Sequence, residues 1–310
     1  MTPQDPLQLR AERAARRALF RACRTGVRHL SFRQVHWLGT LLGELQFRVA
    51  YPSRRRMVHD LAAVLDTPDE RRTAGDILRQ AFRVNNAAVL ETLKILDAHQ
   101  DTRALIARVE VTGVSILRDA IAAGRGALLL GTHMGNSALL MIRLVESGIP
   151  LSIVHREAPM MEPGFFEHGI SRYGIEPILA NRAADAFRSI LSALRRNRVI
   201  YISIDQGVKK SQDGLLLRFL GKDMPIAAGP AHIARRSRAP VLPVATLAAD
   251  PTWRFEILPP MQQCDASVAE DLKAMLRISE QLILRNPHLW SWHHRRWRDF
   301  PLATNPDRRE

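Results

Sequence analysis

The sequence contains little cysteine and lacks the short motifs of several enzyme classes. Among its 310 residues, Cys23 and Cys264 are the only cysteines, and they lie far apart. This spacing predicts neither a disulfide framework nor a metal site, so we expect a reducing compartment. The absence of H-E-x-x-H and C-x-x-C argues against protein-bound zinc. G-x-G-x-x-G and G-x-x-x-x-G-K-[ST] are also absent, so no nucleotide-binding loop is predicted. G-x-S-x-G is absent as well, so no serine nucleophile elbow is predicted.

Long apolar runs are also missing. No stretch reaches the roughly 18–20 uninterrupted apolar residues of a membrane-spanning helix. The charged cluster between Arg10 and Arg17 is not followed by a clean apolar segment, so no secretory signal peptide is predicted. We therefore expect a soluble or peripheral protein that is not exported.

Acidic residues are outnumbered, with 45 Lys and Arg against 31 Asp and Glu, which gives a formal net charge of +14. Such a balance suits nucleic acid, an anionic membrane surface, or an acidic substrate or carrier protein. Aromatic residues make up only 6% of the chain. No nucleic-acid-binding motif is present and few rings are available for stacking, so nucleic acid is not an expected partner.

The basic excess is concentrated near the start of the chain. Residues 1–60 contain twelve arginines and four acids, a net charge of +8. An apolar face at helical spacing follows the first arginines, and it predicts an amphipathic helix at a membrane interface. A core helix beside solvated basic turns is the alternative. The residues assigned to membrane contact are Trp37, Leu38, Leu41, Leu42 and Leu45.

The pattern changes at about residue 103, where short apolar runs begin to alternate with helical periodicity. This alternation predicts an α/β fold with a mixed, mostly parallel sheet flanked by helices. We therefore divide the chain into a basic helical region, 1–102, an α/β domain, 103–302, and a disordered tail, 303–310.

Three apolar runs end in polar residues, namely His133, Arg156 and Asp205. If their strands are parallel, these side chains meet at one edge of the sheet, where such folds bind ligands. A histidine, an acid and an arginine could then serve as general base, orienting partner and anion clamp. The alternatives are a hydrogen-bonded histidine at the end of a core strand and an arginine that neutralises an acidic neighbour.

The order of several short stretches resembles the bacterial lipid A (Kdo-lipid A) late acyltransferase family, from about residue 35 to residue 300. Each stretch alone is a weak signal, but together they identify the chain as a member. The matching stretches are His133–Asn136, Val154–Arg156, Asp205–Gln206, Phe219–Gly221, Ala227–Pro230, Arg238–Val244 and Trp290–Trp297.

This resemblance implies a glycerolipid acyltransferase-like fold and an O-acyltransferase. The family moves a fatty acyl group from acyl carrier protein, or from coenzyme A, to a hydroxyl of a lipid or glycolipid, usually a lipid A precursor. It implies no metal and no cofactor other than this acyl donor. It also implies a peripheral position at the cytoplasmic face of the bacterial inner membrane, with acyl carrier protein, anionic membrane lipid and the acceptor as partners.

The resemblance implies that His133 takes the proton of the acceptor hydroxyl and that an acid orients its imidazole. The family's acid would fall at position 138, which is Ala138. One interpretation gives the role to Asp205, since mannoside-acylating relatives take an acid from a comparable later strand. Glu146 is less suitable, because helix rise places it more than ~15 Å away. The other interpretation is a degenerate relative that binds lipid or carrier protein without turnover.

Four further residues are candidates for substrate binding. Asn136 either caps a helix or donates to the thioester oxyanion, and Gln206 either contacts substrate or belongs to a loop cap. Arg295 and Arg296 lie within Trp290–Trp297. That block predicts either core packing beside a solvated basic turn or a membrane-interface or phosphate-binding site.

Overall fold

The structure is a computed structural model, and its organisation follows the alternation seen in the sequence. It describes residues 14, 18, 20–65, 70–97, 103–156, 161–208, 214–248, 253–262, 267–293, 297 and 300–303. Helices precede the first strand within these residues. They are α1 (residues 20–28), α2 (Phe32–Val49), α3 (Tyr51–Ala62), α4 (Glu70–Leu96) and α5 (Arg103–Ile106).

Seven strands form the main sheet, in the spatial order β1-β9-β8-β2-β5-β3-β4. Neighbours are parallel except β8 and β9, which run antiparallel, so β1 and β9 oppose the other five strands. The strands are β1 (Val109–Thr112), β2 (Ala127–Gly131), β3 (Leu151–His155), β4 (Glu176–Leu179), β5 (Val199–Ser203), β8 (Val241–Ala248) and β9 (Trp253–Ile257). The predicted mixed, mostly parallel α/β fold is confirmed.

Helices follow most of these strands, as connections between parallel strands require. Strands β6 and β7 form a separate antiparallel hairpin. The remaining elements are α6 (Val114–Ala122), α7 (Ser137–Glu146), α8 (Phe165–Ser171), α9 (Ala183–Arg195), β6 (Leu215–Phe219), β7 (Lys222–Ile226), α10 (Gly229–Ser237), α11 (Val268–Arg285) and a 3₁₀ turn (Pro287–Leu289).

Strand β2 is buried along its whole length, as expected for a parallel strand covered on both faces. Alternate residues enter two hydrophobic cores: Leu128 and Leu130 face one, and Leu129 faces the other. Helix α4 contributes to both, with Phe82 in the first core and Leu93 in the second. The helical segment before residue 103 therefore shares its apolar packing with the sheet.

The β6–β7 hairpin is not among the elements that the sequence predicts. Its turn consists of Leu220 and Gly221, which adopt φ angles of 46° and 72°. Leucine is uncommon in the left-handed region, so the sequence carries no ordinary turn signal there. The predicted disordered tail lies outside the described residues except for Ala303.

Helix α2 exposes most of the residues assigned to membrane contact. Trp37 is 65% exposed and Leu45 is 56% exposed, while Leu41 and Leu42 are also on the surface. Leu38 is different, because it is half-buried against the second core and is less accessible than the other four. Across the parts of the chain that the structure describes, no helix combines the length and apolarity needed to traverse a bilayer.

The opposite face of α2 lies very close to α4. Gly39 and Gly43 are buried there, and a Cβ atom on either would overlap the α4 backbone, at Ala87 and Phe82 respectively. Two helix backbones can approach this closely only where the facing side chains are absent. The glycines therefore fix the position of α2 on α4.

We predict that Gly43→Ala destabilises the protein by about 1–3 kcal/mol, the usual cost of overpacking a tight contact. Gly75→Ala is the matched control, because Gly75 lies on α4 with open space around its missing Cβ. That variant should be neutral or stabilising by up to ~1 kcal/mol, since alanine favours helix over glycine. Urea unfolding of both variants checks the prediction, and equal effects would contradict it.

Candidate active site

His133 and Asp205 are brought together by neighbouring parallel strands. His133 follows β2 by two residues, and Asp205 follows β5 by two residues. The strands are in register, with Gly131 opposite Ser203, so the two chains leave the sheet side by side. The predicted meeting of these side chains at one sheet edge is thus observed.

Asp205 binds both the backbone and the ring of His133. Its Oδ1 lies 2.7 Å from His133 Nδ1, and its Oδ2 accepts the His133 backbone N–H at 2.7 Å. The same Oδ2 accepts the indole N–H of Trp290 at 2.6 Å. Asp205 is fully buried, whereas the His133 side chain is 43% exposed. The carboxylate is thus held inside the protein and the imidazole faces outward.

These contacts decide the protonation state of Asp205. Burial raises the pKa of the Asp205 carboxyl. The charge and hydrogen bonds of His133, together with the hydrogen bond from Trp290, lower this pKa by more than burial raises it. The net pKa lies below the usual value, so Asp205 is ionised at neutral pH. An ionised partner at Nδ1 fixes the orientation of the imidazole and stabilises its charged form.

The loop after β2, which carries His133, is held by backbone contacts on several sides. Met134 forms an isolated bridge with Trp290, and the Gly135 N–H donates to Leu289 O at 3.2 Å. Gly135 has φ 60° and packs on the ring of Trp253, which a Cβ atom would overlap. Glycine is therefore required at this position on two grounds, conformation and space.

Position 138 offers no carboxylate to His133. Ala138 is 4% exposed and lies in the first turn of α7, within the apolar packing of that helix. Glu146, at the far end of α7, is exposed and pairs with Arg143 at 3.5 Å. The acid that contacts His133 is Asp205, the residue that the sequence put forward as the replacement.

A cavity of about 1060 Å³ opens beside His133. Arg156, at the end of β3, and Gln206 also line it, so three residues predicted to bind or act on substrate face one space. Much of the remaining wall is apolar and comes from two strands, β3 and β5, and three helices, α8, α9 and α10. These apolar residues include Ile153, Phe166, Phe187, Ile190, Ile202 and Ile233.

Asn136 has a structural position. It is the N-cap of α7 and accepts the Leu139 N–H at 3.3 Å, which is one of the two roles that the sequence left open. Its amide nitrogen donates to Glu91 at 3.2 Å, and the residue is 1% exposed. The predicted contact with a thioester oxyanion is therefore corrected to a helix cap.

The tryptophans of the C-terminal block are core residues. Trp290, Trp292 and Trp297 are at most 1% exposed and pack edge to face against one another. The ammonium of buried Lys222 lies 3.9 Å from the Trp297 ring centroid. Arg295 and Arg296, assigned to substrate binding, lie outside the described residues.

Two contributors to the site were missed from the sequence. The Trp290 bond to Asp205 joins residues 85 positions apart, and the sequence placed Trp290 only in a packing or interface block. Tyr201 is the second: its hydroxyl bonds to Ser137 and Ser203 and packs over Gly131. Burial, together with the charge of Asp205, raises the pKa of Tyr201 to about 12, so it is a neutral hydrogen-bonding group.

The site thus consists of a buried acid, a half-exposed histidine and a largely apolar cavity at the carboxyl edge of a parallel sheet. Among the described residues, no three His, Cys, Asp or Glu side chains cluster as a metal site would require. A histidine oriented by an acid is the arrangement of general-base catalysis on a hydroxyl.

The chain belongs to the bacterial lipid A biosynthesis acyltransferase family, which it matches over residues 7–299. It is also similar to phosphatidylinositol mannoside acyltransferases. The one from Mycobacterium tuberculosis is 26% identical over 190 residues, covering 60% of this chain and 59% of the relative. The one from Mycolicibacterium smegmatis is 24% identical over 195 residues, covering 61% and 62%. The alignments therefore span about three fifths of the length of these relatives.

We predict that Trp290→Phe destabilises the protein by about 1–3 kcal/mol, because a buried carboxylate loses one donor while ring packing is retained. A group whose pKa is lower in the folded state than in the unfolded state stabilises the fold at pH values above its unfolded-state pKa. This stabilisation is lost as the pH falls through the folded-state pKa. The difference from wild type should therefore persist at neutral pH and shrink below about pH 3.8, the ordinary value for this carboxyl.

Trp292→Phe is the control for this variant, because its indole donates to the neutral carbonyl of Pro287 at 2.6 Å. Its effect should be about 1 kcal/mol and independent of the charge on Asp205. Urea unfolding between pH 3 and pH 7 measures both. The same pH dependence in the two variants would contradict the assignment.

Proposed function

We propose that this protein transfers a fatty acyl group from a thioester donor to a hydroxyl of a membrane lipid or glycolipid. The observation that carries the proposal is the His133–Asp205 pair at the mouth of a largely apolar cavity. Family membership supports the reaction class. The sequence of the chain and the geometry of the site thus favour the same chemistry.

In the proposed reaction, His133 Nε2 takes the proton of the acceptor hydroxyl, because Nδ1 is held by Asp205. The hydroxyl oxygen attacks the thioester carbonyl carbon and forms the new ester bond. The carbon–sulfur bond breaks, and the imidazolium returns its proton to the departing thiolate. Asp205 stays ionised throughout and stabilises the transient imidazolium.

The cavity walls suit an acyl chain. A volume of about 1060 Å³ is slightly above the range typical of small-molecule sites, about 300–1,000 Å³. Its apolar lining would bury methylene groups, each worth ~0.8 kcal/mol. The donor is acyl carrier protein or coenzyme A, both of which place the thioester at the end of a pantetheine arm.

Polar groups at the mouth of the cavity suit the head of a substrate. Arg156 is exposed and lines the same cavity as His133. A guanidinium there would bind a phosphate of the acceptor or of the donor's arm, and Gln206 would supply neutral hydrogen bonds. We therefore propose that both residues bind substrate.

A lipid A-type glycolipid is the proposed acceptor, in keeping with the family. The similar mycobacterial proteins are named for phosphatidylinositol mannoside, which is also a glycolipid. We propose that the protein meets this acceptor as a peripheral protein at the cytoplasmic face of the inner membrane. The exposed apolar residues of α2 and the net charge of +14 support this location.

A relative that binds lipid without turnover is the alternative raised by Ala138. The contacts at Asp205 favour an enzyme, because a binding protein needs no ionised carboxylate buried against the imidazole. Burying such a group is costly, and three donors compensate it here. These contacts support the enzymatic interpretation over binding without turnover.

We predict that His133→Ala and Asp205→Asn each lower acyl transfer by roughly 10²–10⁴-fold, the range for loss of a general base or its orienting acid. The assay follows labelled acyl groups from acyl carrier protein or acyl coenzyme A into membrane lipid extract. Asp119→Asn, an exposed acid on α6, is the control and should match wild type.

Wild-type transfer at the background level of His133→Ala with all donors and acceptors would overturn the enzymatic proposal. The binding-only alternative would then account for the fold. Label recovered in a particular lipid from wild type alone would identify the acceptor.

We further predict that replacing Leu41 and Leu45 by serine weakens binding to vesicles of anionic phospholipid at least about tenfold, given ~1.5–3 kcal/mol for each buried leucine. Leu284→Ser is the control, because Leu284 is similarly exposed but lies on α11. Vesicle sedimentation measures the partition. Equal binding by the α2 double variant and wild type would rule out α2 as the membrane contact.

A further inference from the structure

A second buried carboxylate lies close to the site but is not part of the His133–Asp205 pair. Glu91, on α4, is 3% exposed and meets three nitrogen atoms. His36 Nδ1 lies 2.8 Å from its Oε1, while Asn136 Nδ2 and Trp253 Nε1 donate to its Oε2 at 3.2 and 3.1 Å. A buried carboxylate is costly to retain, so its partners identify what it holds in place.

Two of the three partners support the loop of His133. Asn136 belongs to that loop, three residues after the histidine, and also accepts from Thr92, the residue after Glu91. Trp253 lies under Gly135, whose missing side chain allows the contact. Glu91 therefore fixes both the end of the loop and the surface on which the loop rests.

The third partner belongs to the surface helix α2. His36 directly precedes Trp37, the most exposed aromatic residue of the proposed membrane face. Gly39 and Gly43 seat the same helix against the α4 backbone. One carboxylate thus joins α2, α4 and the loop of His133.

We propose that Glu91 is a positioning residue, which orients the loop of His133 and couples that loop to α2 through His36. When α2 binds a membrane, this contact restricts the motion of the loop. The coupling to membrane binding rests on the proposed function, whereas the contact of Glu91 with the loop is tested without membranes or substrate.

Two substitutions of Glu91 separate positioning from charge. Glu91→Met keeps the approximate size but leaves the Asn136 and Trp253 donors without an acceptor. In Glu91→Gln, the amide oxygen can accept both bonds in place of Oε2. Its NH₂ group then faces His36, whose ring can accept in the other tautomer. Rescue by glutamine therefore indicates hydrogen bonding to the loop.

The matched control is a different carboxylate between the same two helices. Glu44, on α2, pairs with Arg79 on α4 at 2.7 Å. Arg79 precedes Glu91 by twelve residues, or ~18 Å along the helix. Glu44→Gln thus weakens the α2–α4 contact without touching the loop of His133.

Hydrogen exchange followed by mass spectrometry gives the readout that does not depend on activity. We expect Glu91→Met to speed amide exchange at least about tenfold in the peptide containing residues 133–136, while Glu91→Gln and Glu44→Gln match wild type. In the transfer assay, Glu91→Met should lower kcat by roughly 10–100-fold with KM within about twofold, since misplacement of a catalytic group affects turnover rather than binding.

Exchange at 133–136 that stays at the wild-type rate in Glu91→Met, or that rises equally in Glu44→Gln, would overturn the positioning role. Because hydrogen exchange does not depend on activity, this test remains valid even if wild type transfers no acyl group. Failure of the positioning role is therefore distinguished from failure of the proposed function. A general loss of stability is recognised because it would speed exchange in the sheet peptides as well.

The coupling to α2 is tested with vesicles of phosphatidylglycerol and phosphatidylethanolamine. In wild type, vesicles should slow exchange both in α2 and at 133–136. In His36→Ala, they should still protect α2 but no longer protect 133–136. Protection of α2 alone in wild type would overturn the coupling, and no protection of α2 would overturn both the coupling and the membrane proposal.

Discussion

The carboxylate of Asp205 is the group on which the site depends. It is fully buried, and it is compensated by a backbone N–H and a ring nitrogen of His133 and by the indole of Trp290. Each contact relies on a different part of the fold: the pairing of β2 with β5, the loop after β2, and the packed C-terminal tryptophans. Weakening any of them leaves a buried charge with too few donors, a penalty larger than the worth of one hydrogen bond. Assembly of the site and stability of the fold are therefore set by the same few contacts.

Helix α4 connects the surface of the protein to this group. Its 27 residues contribute to both hydrophobic cores and lie against α2 at two glycines. Asn85 donates to the carbonyl of Trp290 at 3.2 Å and accepts from Ser291 at 2.7 Å, so the helix also supports the segment that donates to Asp205. Glu91, six residues further along, supports the loop of His133. One rigid element thus holds both sides of the His133–Asp205 pair.

The strand ends could be predicted from the sequence because apolar runs that stop at His133, Arg156 and Asp205 have a simple physical meaning in a parallel sheet. Two other parts of the site could not be predicted, namely the indole that donates to Asp205 and the buried carboxylate of Glu91. A tryptophan near the end of a chain has the same sequence signal whether it packs or donates, and a glutamate in a long helix is ordinarily solvated. The antiparallel direction of β9 and the hairpin with its turn at Leu220 were not predicted either. Neither the direction of a strand nor a leucine in the left-handed region produces a periodic pattern in the sequence. Local periodicity therefore predicted the strands and the residues at their ends, whereas contacts between residues far apart in the sequence completed the site.

The position of the acid in the sequence determines when, during folding, the pair can form. An acid five residues after the histidine would be a neighbour in sequence, available as soon as one turn of helix forms. Here 72 residues separate the partners, and β3, β4 and β5 all lie between them in the chain. The imidazole meets its acid only after β5 has inserted beside β2, a late event for a nonlocal parallel pairing. A nascent or partly folded chain therefore contains His133 without the carboxylate of Asp205 until β5 has paired with β2.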